Sequence, residues 1–313
     1  MSGTERQYSA GTVEHGATDS SLFAASGKKS GHGTIAWLPA PSYEMPDGPA
    51  WPPASRPAVI ALLDTGVQEH PWLPTDSGTP FLLHPEDDGW TSPLPDDDEV
   101  ADGYSSHWGH ATFIAGLIRL AAPGAQVLSM RVMDSDGKVS EDNAVSALNW
   151  LAGNPAVEVD VVLMAFGRQE HPAAPDLGKL RTPLTKLVER GVRVVASAGN
   201  DGADRPVYPA AFAAEAGLSR SVVSVGALAT AVERAPYSNF GPWVTQWRNG
   251  TNAISIMPLT TKSPDDPAPG FDTAVAPDPG NGYAWWSGTS FAAAVVAGQL
   301  AAGLALPDSA AGS

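Results

Sequence analysis

Cysteine is absent from the 313-residue chain. Without a thiol, the protein has no disulfide framework, no thiolate zinc site and no cysteine nucleophile. Basic residues are also few, since 18 Lys and Arg stand against 34 Asp and Glu, for a formal net charge of -16. A chain this acidic is repelled by nucleic acid and by anionic membranes, so we expect neither as a partner.

Long apolar runs are missing as well. Residues 1–20 lack the apolar segment of a secretory signal peptide. No segment approaches the roughly 18 consecutive apolar residues of a membrane helix. We therefore expect a soluble, cytoplasmic protein, although secretion by another route stays open. Hydrophobic residues make up 43% of the chain, which is enough for a core and excludes a wholly disordered protein.

The composition divides the chain into three unequal parts. Residues 1–57 are rich in Gly, Ser and Pro, which disfavour both helix and strand, so we predict a mostly disordered N-terminal extension. Residues 58–306 carry alternating strand and helix patterns and form the predicted folded domain. Residues 307–313 form a short tail that we expect to be flexible.

Short apolar runs rich in Val recur through the folded part and predict strands buried on both faces. These runs are 59–63, 127–133, 161–166, 192–198 and 222–228. Helical patterns alternate with them at 111–121, 141–152, 182–190 and 290–304. The alternation predicts an α/β domain with a parallel sheet and right-handed crossovers.

Four polar residues stand where a parallel sheet presents functional groups, outside the carboxyl ends of its strands. Asp64 ends the first predicted strand, and Asn200 follows the strand 192–198. His110 and Ser290 stand where loops turn into helices. Each of the four has a glycine within two residues, which permits the sharp turns that such junctions need.

Taken singly, each of these residues also fits a structural role. Asp64 and Asn200 fit ordinary turn residues, and His110 and Ser290 fit helix caps or packing residues. His107 lies three residues before His110, but no third ligand accompanies the pair, and we predict no metal site. The order Asp, His, Asn, Ser, with a glycine at every junction, favours a catalytic triad over four independent structural roles.

These motifs resemble those of the subtilisin-like serine proteases, the subtilase family. They are DTG at 64–66, GHATFIAG at 109–116, SAGNDG at 197–202 and SGTSFAAAVVAG at 287–298. The resemblance runs from about residue 59 to residue 298. It implies a three-layer α/β fold, with a largely parallel seven-stranded sheet between helices, and a catalytic domain at 58–306.

The resemblance also implies a role for each residue of the constellation. Ser290 is expected to be the nucleophile, and His110 the general base and then the acid. Asp64 is expected to fix the His tautomer and to stabilise the imidazolium. The side-chain amide of Asn200 and the backbone N–H of Ser290 are expected to form the oxyanion hole. The implied activity is peptide hydrolysis through an acyl-enzyme, by an enzyme that matures a specific peptide.

Further residues are implied to bind the substrate. The substrate-pairing strand of the family corresponds here to Ala165, Phe166 and Gly167, and pairing through backbone groups survives a change of side chains. Phe166 is expected to alter an apolar subsite. Gly199 is expected to border the substrate, and Trp286 to line the leaving-group side.

Departures from the family pattern affect calcium and folding. Only a short link, 120–125, stands where the family has a tight calcium loop, so we predict that this calcium site is missing and that no cofactor is needed. The segment 86–102 holds eight acids, and a weak calcium site there stays open beside a solvated loop and a field that favours basic peptides. The family's folding pro-domain has no recognisable counterpart in residues 1–57.

Two other functions remain compatible with the motifs. One is a subtilase fold without catalysis that serves as a binding protein. The other is a peptidyl transferase or cyclase that uses the same triad and acyl-enzyme.

Overall fold

The computed structural model describes residues 7–9, 36–37, 56–75, 78, 80–94, 107–135, 137–169, 177–259 and 282–303. The expected tail at 307–313 and most of the N-terminal extension lie outside these residues.

Strands and helices alternate along the central part of the described chain. The strands are β1 Gln7–Ser9, β2 Ala36–Trp37, β3 Val59–Asp64, β4 Leu82–Leu83, β5 Gln126–Arg131, β6 Lys138–Ser140, β7 Val161–Met164, β8 Arg168–Gln169, β9 Arg193–Ser197, β10 Val207–Tyr208, β11 Val222–Leu228, β12 Gln246–Asn249, β13 Ala253–Ile256 and β14 Tyr283–Trp286. The α-helices are α1 His110–Ala121, α2 Glu141–Gly153, α3 Gly178–Glu189 and α4 Thr289–Ala301.

The main sheet has seven strands in the order β12-β11-β9-β7-β3-β5-β4. Every neighbouring pair is parallel. Apolar side chains cover both faces of the sheet. One core contains α2 and α3 residues, and the other contains α1 and α4 residues. The predicted three-layer α/β fold with a seven-stranded sheet is therefore confirmed.

The strand order reverses at β3, which lies inside the sheet between β7 and β5. The chain adds β5 on one side of β3 and later adds β7 on the other side. Open α/β sheets bind their ligands at such a switch point, in the crevice outside the carboxyl ends of the strands. Asp64 is the last residue of β3 and therefore lies at this crevice.

The α4 helix is buried almost all round. Its small residues allow it to lie close to the sheet and to α1. Gly298 stands where a Cβ would lie 2.7 Å from the Cβ of Ala121 of α1, so the two helices meet at a glycine. This close packing lies near the carboxyl ends of both helices and holds α4 against α1.

Two strands lie in the N-terminal extension, where the sequence did not indicate any. β1 pairs with β6 in an antiparallel manner, and β2 joins β13 and β14 in a small antiparallel sheet. Strands of two or three residues are too short to show a periodic pattern in the sequence. Their pairing depends on partners that are distant along the chain. The α3 helix also begins four residues before its predicted start, at Gly178, and includes Pro183.

None of the helices in the described part of the chain is both long and apolar enough to cross a membrane.

Candidate active site

Asp64 and His110 form a buried pair at the switch point. The Nδ1 atom of His110 lies 2.8 Å from Oδ1 and 3.0 Å from Oδ2 of Asp64. The residues are 0% and 2% exposed. An ionised carboxylate only accepts hydrogen bonds, so the imidazole donates from Nδ1 and keeps Nε2 free to act as a base. Oδ1 also accepts a hydrogen bond from the N–H of Thr65 at 2.8 Å, which fixes the carboxylate.

His110 is positioned by the sharp turn that starts α1. Gly109 is the N-cap and has a φ of 75°, in the left-handed region that favours glycine. A Cβ at this position would lie 2.6 Å from Cδ of Pro258. The chain therefore needs glycine here for two reasons, and the turn delivers His110 as the first residue of the helix.

Ser290 is the second residue of α4 and is 2% exposed. Its hydroxyl donates a hydrogen bond to the carbonyl of Ala165 at 3.1 Å. Ala165 follows β7, so this contact joins the start of α4 to the carboxyl end of the sheet. The backbone N–H groups of the first helical turn point away from the helix and make this end electropositive.

Asn200 is held by Thr289, the residue before Ser290. Its Oδ1 accepts hydrogen bonds from the backbone N–H of Thr289 at 2.9 Å and from the hydroxyl of Thr289 at 2.8 Å. The oxygen of the amide is thereby occupied, so the Nδ2 atom faces Gly288. It lies 3.4 Å from where a Cβ added to Gly288 would stand. A side-chain N–H donor thus lies beside the turn that carries Ser290.

Thr289 is a site residue that the sequence analysis did not single out. Besides its bond to Asn200, its hydroxyl accepts the N–H of Gly199 at 3.1 Å. One hydroxyl therefore ties the loop after β9 to the start of α4. The signal was present, since a hydroxyl residue directly precedes the predicted nucleophile.

Asn239 holds the loop that carries Asn200. It is fully buried, and its Oδ1 accepts the N–H groups of Asp201 and Ala203, each at 3.0 Å. Its Nδ2 donates to the carbonyl of Ala198 at 2.9 Å. Gly199 has a φ of 97°, and a Cβ there would lie 2.5 Å from Asn239 Nδ2. Gly199 is thus required for close packing against this amide.

Tyr237 links the Asn200 loop to the Ser290 turn. Its carbonyl accepts the N–H of Gly202 at 2.7 Å, and its hydroxyl donates to the carbonyl of Gly250 at 2.9 Å. The same Gly250 carbonyl accepts the N–H of Gly288 at 2.9 Å. Burial raises the pKa of Tyr237 to about 12, so the phenol stays protonated and able to donate at alkaline pH.

Aromatic rings enclose the imidazole of His110. The ring centroids of Trp286 and Phe291 lie 5.3 Å and 5.5 Å from it, and that of His107 lies 5.4 Å away. Trp286 meets His110 edge to face and is itself buried. Trp286 thus packs directly against His110, and its expected role on the leaving-group side stays a prediction.

The other expected substrate-binding residues occupy different environments. Ala165 meets Ser290 through its carbonyl. Phe166 is fully buried in the core beside α2 and α3, so the structure does not bring its ring to the surface. Gly167 lies against β10, where a Cβ would meet the side chain of Val207 at 2.5 Å. The apolar subsite expected for Phe166 stays a prediction.

The acidic segment is described only in part. Glu86, Asp87 and Asp88 lie in an exposed 3₁₀ turn, while Asp96, Asp97, Asp98, Glu99 and Asp102 lie outside the described residues. Residues 122–125 alone connect α1 to β5. Within the described ranges, no three His, Asp or Glu side chains are grouped so that they could hold a metal ion.

The family model of the subtilases, Peptidase_S8, matches residues 55–309. The chain belongs to the subtilase family of serine proteases. The family match spans the whole crevice described above, from Asp64 to Ser290, and subtilases are hydrolases that act on peptides and proteins.

Curated subtilases resemble this chain over most of its length. Subtilisin BL and Subtilisin Savinase, both from Lederbergia lenta, are each 28% identical over 251 residues, which is 77% of this chain and 74% of each relative. The minor extracellular protease Epr of Bacillus subtilis (strain 168) is 29% identical over 206 residues, 63% of this chain and 27% of Epr.

Solved structures share the fold of this subtilase. A cold adapted subtilisin-like serine proteinase superposes with a TM-score of 0.55 at 23% identity and covers 78% of this chain and 74% of its own. A structure described as a lanthipeptide protease superposes with a TM-score of 0.56 at 21% identity and covers 78% and 72%.

Proposed function

We propose that this subtilase is a serine endopeptidase that works through Asp64, His110 and Ser290, with Asn200 as an oxyanion donor. The observation that carries the proposal is the 2.8 Å contact between His110 Nδ1 and Asp64 Oδ1 at the switch point, beside the N-terminal turn of α4. A buried imidazole held by a carboxylate has its Nε2 available for proton transfer.

The chemistry begins with the Ser290 hydroxyl. Its oxygen forms a bond to the scissile carbonyl carbon while its proton passes to Nε2 of His110. The oxyanion that results accepts hydrogen bonds from the Asn200 amide and the Ser290 N–H. The C–N bond then breaks, His110 gives its proton to the leaving amine, and an acyl-enzyme remains. Water enters, loses a proton to His110, and releases the acid and the Ser290 hydroxyl by the same steps in reverse.

The hydroxyl of Ser290 needs a change of partner before it reacts. In the structure it donates to the Ala165 carbonyl rather than to His110. A peptide that pairs with the backbone at Ala165 brings its own N–H to that carbonyl. Substrate pairing thereby competes for the acceptor and frees the hydroxyl to turn toward the imidazole.

We propose further that the substrate is an extended peptide that this enzyme matures at a specific bond. The nucleophile and the base are each 2% exposed, and aromatic rings surround the base. Reacting groups this buried favour a single extended segment over a folded protein as the substrate. A structural neighbour described as a lanthipeptide protease is compatible with this proposal.

Active-site labelling tests the first part of the proposal. A fluorophosphonate probe should label the wild-type chain at Ser290 and should not label Ser290→Ala. Absence of labelling in a folded wild-type chain would favour a binding protein without catalysis.

A peptide library analysed by mass spectrometry tests the second part. Cleavage confined to a few sequences, with folded protein substrates left intact, supports maturation. Products joined to an added amine nucleophile in preference to water would indicate peptidyl transfer instead.

A further inference from the structure

Two backbone segments lie beside the reacting groups, and each leaves the carboxyl end of a strand of the central sheet. Residues 165–167 follow β7 and residues 198–200 follow β9, and these two strands are parallel neighbours. The first segment contacts α4 where the Ala165 carbonyl accepts the Ser290 hydroxyl. The second contacts it through the amide oxygen of Asn200. Both segments therefore border the turn that carries the proposed nucleophile.

The substrate residue that supplies the scissile carbonyl must place its side chain between these two segments. In the proposed mechanism, the carbonyl oxygen of that residue accepts a hydrogen bond from the Asn200 amide, and its backbone pairs with residues 165–167. Its side chain then enters the gap between residues 165–167 and residues 198–200. The size of this gap therefore decides which residue can stand before the cleaved bond.

Val207 occupies the gap. A Cβ at Gly167 would lie 2.5 Å from Cγ1 of Val207, and a Cβ at Gly199 would lie 3.6 Å from its Cγ2. Each segment thus presents a glycine to one of the two methyl groups. Val207 is 3% exposed and belongs to the apolar core beside α2 and α3. Its methyl groups form the floor of the gap and leave little depth for another side chain.

Strand pairing holds Val207 in place. β10 pairs with β8 in an antiparallel manner, with Val207 opposite Gln169. Because β8 begins directly after Gly167, the strand that closes the gap is paired with the chain that borders it. The ring of Tyr208 packs against that of Phe212, with the centroids 4.9 Å apart. A large substrate side chain therefore cannot displace the floor without disturbing a close-packed interior.

We propose that Val207 restricts cleavage to peptides with a small, uncharged residue, namely Gly, Ala or Ser, before the scissile bond. This inference rests on the proposed function, because it names the substrate class of the same site. Gly167, Gly199 and Val207 carry no charge, so none of the three compensates a charged side chain that enters the gap. One methylene more or less in an apolar pocket changes kcat/KM about 10–200-fold.

Two substrates that differ only in this residue test the wild-type chain. Succinyl-Ala-Ala-Pro-Ala-p-nitroanilide and the corresponding Phe compound share every other position. We expect kcat/KM to be higher for the Ala compound by about tenfold or more. A smaller preference for Ala, or a preference for Phe, would overturn the proposal.

Two buried valines of the same core provide a variant and its control. Val207→Ala lowers the floor and should raise the Phe-to-Ala ratio of kcat/KM about tenfold or more. Val192 is also 3% exposed, but it lies just before β9, at the amino end of the sheet. Val192→Ala therefore removes the same methyl groups and should leave the ratio unchanged. Each ratio is measured on one preparation, so the fraction of folded protein cancels.

Val207→Ile keeps the test open if Val207→Ala does not fold. The added methylene makes the gap shallower, so cleavage after Ala should fall about tenfold or more relative to cleavage after Gly. An unchanged ratio in whichever of the two Val207 variants folds would overturn the proposal.

A binding measurement separates this inference from the proposed function. In the Ser290→Ala background, the fluorescently labelled product peptide Ala-Ala-Pro-Ala should bind about tenfold more tightly than Ala-Ala-Pro-Phe, and Val207→Ala should reduce this difference. Equal Kd values for the two peptides would overturn the inference. A folded wild-type chain that neither hydrolyses a peptide nor reacts with fluorophosphonate would count against the proposed function, and the Kd comparison would still decide the role of Val207.

Discussion

The hydroxyl of Thr289 donates a hydrogen bond to Oδ1 of Asn200 at 2.8 Å. Because the same hydroxyl accepts the N–H of Gly199, it holds the amide and its loop at once. The orientation of the oxyanion donor therefore depends on a residue that does not itself contact the reacting atoms in the proposed mechanism. Thr289 is a positioning residue in this sense.

Replacing Thr289 with Val should lower kcat about tenfold or more while KM changes little. The Asn200 amide would then be misplaced, and its position matters mainly when the oxyanion forms. Removal of an oxyanion donor outright costs about 10²–10³-fold in kcat, a magnitude that comes from subtilisin itself, a member of this family. Steady-state kinetics on a chromogenic peptide provide the measurement. Thr289→Ser keeps the hydroxyl and should restore kcat, and equal rates for the Val and Ser variants would remove the positioning role.

Ser290→Ala should abolish hydrolysis and fluorophosphonate labelling without loss of the fold. His110→Ala should reduce kcat to a similar extent, and the double variant should be no worse than either, because the triad acts as a unit. Circular dichroism checks the fold and peptide hydrolysis checks the rate.

The neighbouring His107 provides the control for this series. Although its ring lies against that of His110, we expect His107→Ala to keep most of the activity. Complete loss in that variant, or more than a few per cent of the wild-type rate in Ser290→Ala, would contradict the assignment.

The Tyr237 hydroxyl should contribute to stability in a pH-dependent manner. Burial raises its pKa to about 12, above the ordinary value of about 10. The folded state then retains a proton that the unfolded state loses, so the contribution is complete below pH 10 and is lost as the pH rises toward 12. Urea unfolding of wild type and Tyr237→Phe between pH 8 and about 11.5 measures it. The difference in free energy of unfolding should shrink with rising pH, and a constant difference would refute the prediction.

His70 should act in the opposite direction on the acid side. Burial lowers its pKa to about 4, and its Nδ1 accepts the N–H of Trp72 at 3.1 Å, which only the neutral ring can do. The folded state binds fewer protons than the unfolded state below the ordinary pKa of about 6.5. The stabilisation is therefore complete above that pH and is lost as the pH falls toward 4. His70→Asn keeps an acceptor but does not titrate, so its unfolding curve should depend less on pH between 4 and 7.

The strands of the central sheet could be predicted from the sequence because they are buried on both faces. Val222–Leu228 was located to the residue, and β3 and β9 to within one residue at each end. Such strands are continuous apolar runs whatever their neighbours are. The edge strands β4 and β12 have too few buried positions to show a continuous apolar run in the sequence. The strands of the N-terminal extension are defined only by their pairing with distant strands.

The sequence by itself determined the α/β alternation and the order of Asp64, His110, Asn200 and Ser290, because each stands at a junction that glycine marks locally. Tertiary structure alone decided which atoms meet. The contact of Thr289 with Asn200 spans 89 residues and that of Ser290 with Ala165 spans 125 residues, distances along the chain that no local pattern encodes. The same holds for the enclosure of His110 by Trp286 and for β1 on β6. Local propensity acts over a few residues, whereas these contacts form only when the parallel sheet brings the ends of distant strands to one edge.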